Sequence, residues 1–175
     1  HPTDGHDLTD FLLGRRADSP RQEFFYFNGR QLDGVRVGPW KLRLRDGVEL
    51  FHLDLDPSER HNREKEHPEI VASLKARVEA MAAEMSCGML AFGQVYKRQP
   101  AVSMLVEKLE AKFVKKATGV IIFTCEDGEA LRDTVNEALA NPAGTKLQVT
   151  SVGRNQAGEI VAEFVFTWTF KAKNL

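Results

Sequence analysis

Only two cysteines, Cys87 and Cys125, occur in this chain of 175 residues. They form no CxxC pair and lie in separate predicted elements, so neither a disulfide framework nor a zinc knuckle follows, and a reducing, cytoplasmic setting is expected. An excess of charge of one sign is also missing: 24 Lys and Arg against 25 Asp and Glu leave a formal charge of -1, without a long run of either kind. That balance gives no electrostatic reason to expect a nucleic acid or an anionic membrane as partner. No apolar run is long enough to span a bilayer, and the residues present contain no charged, apolar, small-residue leader. The first of them is His1 rather than Met, as in a processed piece or a fragment. His1, His6, His52, His61 and His67 are scattered over predicted turns and strand ends without i,i+4 or HxH spacing. They read as surface or capping residues, so neither a metal site nor a cofactor is expected.

What is present suffices for a fold. A hydrophobic content of 42% supports a packed core. The length suits one ordinary domain or two very small ones. A single domain hides roughly 70% of its unfolded surface and two separate halves nearer 60%, so some packing between halves is expected.

Residues 1–66 alternate short apolar runs with Gly, Pro, Asp and Asn, the pattern of a small antiparallel sheet. Strands are expected over 23–27, 34–37, 40–44 and 49–54. The stretches FNGRQ and RDGVE supply turns, because Asn-Gly and Asp-Gly tolerate the positive φ of a tight hairpin. Asp56-Pro57 closes the sheet. Pro68 then opens a helix where its missing N–H costs nothing, with Glu69 beside the positive end of the helix dipole. Trp40 and Lys41 read either as the border of a ligand cleft or as packing residues; a strand Trp favours packing.

The stretches DGHDLTDFLLG, SPRQEFFYFNGRQLDGVRVGPWKLRL and ELFHLDLDPSERHNREKEHPEIV, in that order, resemble the C-terminal subdomain of arylsulfatases and related type I sulfatases. The resemblance implies a small sheet and helix that pack against a catalytic domain. It does not bring the catalyst. Sulfatases use a formylglycine made within a C/S-x-P-x-R motif beside a divalent metal, whereas here Gly-Met-Leu-Ala follows Cys87, Glu-Asp-Gly-Glu follows Cys125, and Ser19-Pro20-Arg21 has the wrong spacing.

From Ser103 the strands lengthen. Leu105, Leu109, Ala111 and Phe113 are expected on one face of a strand, with Glu110 and Lys112 on the other. ATGVIIFTCE reads as a second strand. DGEALRDTVNEALANPAG reads as a helix with Leu131, Val135, Ala138 and Leu139 on one side, stopped by Asn141-Pro142. A long hairpin turning at RNQAGE follows, with Ile160, Ala162, Phe164, Phe166, Trp168 and Phe170 as one continuous apolar face. So large a face needs a long element to cover it, and the preceding helix is the candidate.

This layout, with MLVEKLEAKFVKKATGVIIFTCED and GEIVAEFVFTWTFKAK, resembles the hotdog fold, and within it the uncharacterised acyl-CoA thioesterase-like proteins. The resemblance implies acyl-CoA as substrate and a homodimer through the hotdog sheet or helix. It also implies a catalytic carboxylate near the start of the central helix, which in AAEMSCGML is Glu84, beside a backbone N–H that polarises the thioester carbonyl. One departure matters. The loop that should precede that helix is replaced by more helix, which puts Glu84 in mid-helix without free N–H groups. The other reading of Glu84 is a solvated helix residue.

Ile70, Leu74, Val78, Met81, Met85, Phe92 and Tyr96 recur at three- and four-residue spacing, giving one apolar stripe with no phase break. A helix over 68–96 would be about 43 Å long at 1.5 Å per residue, so it must bridge two units or bend. Gly88 and Gly93 are the expected bends, although Gly88 would equally let a strand pass close to the helix. The expected fold class is therefore α+β: a small antiparallel sheet, then a long helix packed on a hotdog-like antiparallel sheet. Residues 1–82 are expected to form an incomplete sulfatase C-terminal-like subdomain and residues 83–175 an incomplete hotdog thioesterase-like domain lacking its first strand. Three functions compete: a thioesterase-like protein fused to a non-catalytic sulfatase tail, an arylsulfatase fragment, and a non-catalytic chimera.

Overall fold

In the computed structural model, which describes residues 6–29 and 31–173, the alternation of apolar runs with turn residues produces two four-stranded sheets, both antiparallel. His1 of the five histidines and Arg30 of the FNGRQ turn lie outside the described residues. Two compact units divide between Val78 and Glu79, slightly earlier than the boundary expected after residue 82.

The first unit holds a single helical turn α1 (Thr9–Leu12), the strands β1 (Glu23–Asn28), β2 (Gln31–Val37), β3 (Trp40–Arg43) and β4 (Glu49–His52), and the start of helix α2 (Pro68–Val95). The strands form a meander in the order β1-β2-β3-β4. Gly29 and Gly47 adopt the positive φ anticipated for their turns. Val35, Leu42 and Leu50 are fully buried and pack with Leu74 and Val78 of α2. Gly34 is required by close approach: a Cβ there would lie 2.1 Å from the Leu42 carbonyl oxygen. After β4, side chains satisfy the backbone of the connecting loop. One Asp56 carboxylate oxygen accepts the N–H groups of Arg60 and His61, both at 2.8 Å. The His61 N–H, more than any other group, holds the Asp56 carboxyl below its usual range.

The second unit contains the rest of α2, then β5 (Val102–Phe113), β6 (Ile122–Cys125), helix α3 (Gly128–Ala140), β7 (Thr145–Arg154) and β8 (Ile160–Ala172). Its sheet runs β5-β8-β7-β6. Phe164, Phe166, Trp168 and Phe170 are buried, as their alternation requires, against Leu131, Val135 and Ala138 of α3 and Ala83, Cys87 and Ala91 of α2. Hiding each such aromatic contributes roughly 1.5–3 kcal/mol. This is a long helix packed on an antiparallel sheet, within an α+β chain.

Three expectations change. The first concerns α2, which continues through Gly88 and Gly93 as 28 helical residues. Close approach does not require Gly88 either: a Cβ there would sit at ordinary contact distance, 3.5 Å from Cη2 of Trp168 on β8. The second is the single apolar stripe, which does not exist. Leu74 and Val78 are buried in the first unit, but in the second the buried residues are Ala83, Cys87 and Ala91, while Met85, Met89, Phe92 and Tyr96 are exposed. The phase shifts because small residues permit a close helix-to-sheet approach that the larger ones would block. The third is the face shared by Leu105, Leu109, Ala111 and Phe113. An irregularity between Val106 and Lys108 resets the alternation, so Leu105 opposes Thr169 whereas Leu109, Ala111 and Phe113 oppose Phe166, Phe164 and Ala162.

Candidate functional site

Glu84 lies about four turns inside α2, half-buried, in a stretch whose backbone N–H groups are committed to the helix. Its carboxylate makes no hydrogen bond or ion pair with the described residues. Its carbonyl oxygen accepts the Cys87 thiol at 3.4 Å. Two residues beyond Glu84, Ser86 enters a polar patch that the sequence did not reveal. The hydroxyls of Ser86 and the fully buried Ser151 meet at 2.7 Å, and Ser86 also donates to the Ala83 carbonyl at 2.8 Å. Ser151 opposes Cys125 in the sheet. Asp127 accepts the Thr150 N–H at 2.8 Å and lies 3.8 Å from the Cys125 sulfur. Residues 65 positions apart carry no local signal of their meeting.

The chemistry open to this patch is limited by its proton acceptors. Burial pushes the Cys87 thiol up to about 11 and that of Cys125 up as well, so neither is a thiolate at neutral pH. The second unit has no histidine among its residues 79–175. Ser86 and Ser151 thus have no imidazole beside them to take a proton, and their contact acts as a hydrogen-bonded link between α2 and β7. The carboxylate within this patch is Asp127, which is engaged by the Thr150 N–H.

The first unit has an open cleft of about 330 Å³ lined by Val37, Trp40, Glu69, Ile70, Ser73, Leu74 and Arg77. Trp40 borders it and also packs, edge-on, against His52 and His67 at 4.6 and 4.8 Å between ring centroids. Lys41 is engaged elsewhere, with its ammonium 2.6 Å from Glu59 and over the Tyr26 ring. Arg77 is paired with Glu23 at 2.9 Å. Among the described residues no group of three or more His, Cys, Asp or Glu is arranged to hold a metal ion, and no helix is long and apolar enough to cross a membrane.

No model of a protein family and no curated protein matches the chain. Among solved structures it is similar to a protein of unknown function from Pseudomonas aeruginosa, described as a probable thioesterase, with a TM-score of 0.49 and 20% identity. The similarity covers 56% of this chain and 64% of that one.

Proposed function

We propose that the second unit is a thioesterase-like domain that hydrolyses an acyl-CoA thioester with Glu84 as its carboxylate. The observation that carries this reading is the placement of Glu84: half-buried, without an ion-pair partner among the described residues, on a helix packed against an aromatic antiparallel sheet. Such a carboxylate attacks the thioester carbonyl or takes a proton from the attacking water, and the CoA thiolate leaves and is protonated. In mid-helix Glu84 has no free N–H groups to meet the oxyanion, so those donors would come from a second copy in a homodimer formed through the sheet or helix. Met85, Met89 and Phe92, exposed on the same helix, offer an apolar surface to an acyl chain.

Thiol release from acyl-CoA by the purified chain, followed with a thiol reagent, tests the reading. Glu84→Gln is expected to abolish turnover; undiminished turnover would remove Glu84 from the mechanism.

The first unit plays no part in this chemistry. Its meander against a helix suits the alternative reading, a sulfatase C-terminal subdomain over residues 1–82, which requires binding to a separate catalytic domain. A chimera of two fragments would display neither activity.

A further inference from the structure

We infer that the cleft of the first unit binds a linear ω-amino acid, an apolar chain with an ammonium at one end and a carboxylate at the other. The cleft measures about 330 Å³, and its apolar wall is made by Val37 and Trp40 of the sheet and Ile70 and Leu74 of α2. A small-ligand site has this make-up: an apolar wall with a few polar groups that fix orientation. Here the polar groups are Glu69, Ser73 and Arg77, which recur at every fourth residue of α2 and so form a row along one face of the helix. At 1.5 Å per residue the positions of the carboxylate and the guanidinium lie about 12 Å apart, with the hydroxyl between them.

The row selects the charges of the ligand. A simple anion would meet Arg77 and leave Glu69 without a counter-charge; a simple cation would do the reverse. A zwitterion answers both ends, with its ammonium at Glu69 and its carboxylate at Arg77, each contact a charge-assisted hydrogen bond. Its methylenes would pack along the indole of Trp40 and the side chains of Ile70 and Leu74. An extended chain of about eight carbons, with bonds of about 1.5 Å, covers the distance. A peptide of equal span would bury backbone N–H and C=O groups against a wall that supplies only the Ser73 hydroxyl. Both charged groups remain reachable. The Glu69 side chain is 69% exposed, with Nδ1 of His67 at 3.6 Å. Arg77 donates from Nη1 to Glu23 at 2.9 Å, yet its side chain is 49% exposed and its guanidinium carries further donors. An exposed pair of this kind is weak, so Glu23 competes with the ligand and does not block it.

Nothing in this site depends on the thioester chemistry of the second unit. Titration of the nitrogen-15-labelled full chain with 8-aminooctanoate, followed by its indole N–H resonances, tests the inference. The chain has two tryptophans, and Trp168 lies in the core of the second unit, where it serves as an internal control. The Trp40 signal is expected to shift saturably while that of Trp168 stays in place. Octylamine and octanoate, with one charge each, should bind more weakly by about tenfold or more. Glu69→Gln and Arg77→Gln should each weaken 8-aminooctanoate by a similar factor, whereas Glu23→Gln should tighten it by releasing the guanidinium. The last two variants break the same ion pair, so a purely structural role for Arg77 would move both in one direction. No saturable shift of Trp40, equal binding of the zwitterion and either single-charge analogue, or a loss of affinity in Glu23→Gln to match that in Arg77→Gln would overturn the inference. Should Arg77→Gln unfold the chain, Glu69→Gln, at an exposed side chain, decides: undiminished binding refutes the site.

Discussion

Burial raises the Cys87 thiol to about 11, and the Trp168 side chain beside it offsets part of that rise. The thiol is therefore neutral and enclosed where an isolated cysteine would begin to ionise. Iodoacetamide at pH 8 should leave Cys87 unmodified in the native chain and label it after denaturation, as read by peptide mass; rapid native labelling would mean that α2 does not hold its place on the sheet. The folded value lies above the unfolded one, so this group's contribution to stability is complete below the ordinary thiol range and is lost as pH climbs toward the folded value. None of this could be read from the residue alone, because a cysteine in a helical run carries no mark of the tryptophan that will enclose it.

Two glycines separate, at the scale of the element, what a strand needs from what a helix tolerates. On β2, Gly34→Ala would drive a methyl group into the Leu42 carbonyl of the adjacent strand, which has no room to yield. A loss of about 1–3 kcal/mol is expected. On α2, Gly88→Ala adds a methyl group at ordinary contact distance from Trp168 and removes a helix-weakening residue, so a gain of up to about 1 kcal/mol is expected. Paired thermal melts check both signs, and a destabilising Gly88→Ala would mean that the helix and β8 are packed more tightly than the 3.5 Å contact indicates. The strand alternation of Phe164, Phe166, Trp168 and Phe170 was legible because each residue is large and apolar. The matching helix face was not, since Ala83, Cys87 and Ala91 give a weak hydrophobic signal and are buried by fitting between the large residues opposite.

As a whole molecule the chain carries two cores, one around Val35, Leu42 and Leu50 and one around the aromatic face of β8. Neither includes the sequence motif from which a sulfatase nucleophile is made, so the purified chain is expected to hydrolyse no aryl sulfate, with or without added divalent metal. Metal-dependent release of a chromogenic phenol from an aryl sulfate would overturn the view that the first unit lacks a catalyst. Glu84 was legible as a candidate only through the resemblance of its segment to hotdog proteins; its half-burial depends on packing that residues distant in sequence create.

The sequence by itself determined the α+β class, the meander of the first unit, the start of α2 at Pro68 and the α3 face, because periodicity and turn residues act locally. Only the tertiary structure decided which face of α2 is buried, how β5 changes phase near Val106, and which strand edge stays open. Those outcomes depend on fit between distant surfaces, where a small residue opposite a large one wins over a larger residue with the stronger hydrophobic signal.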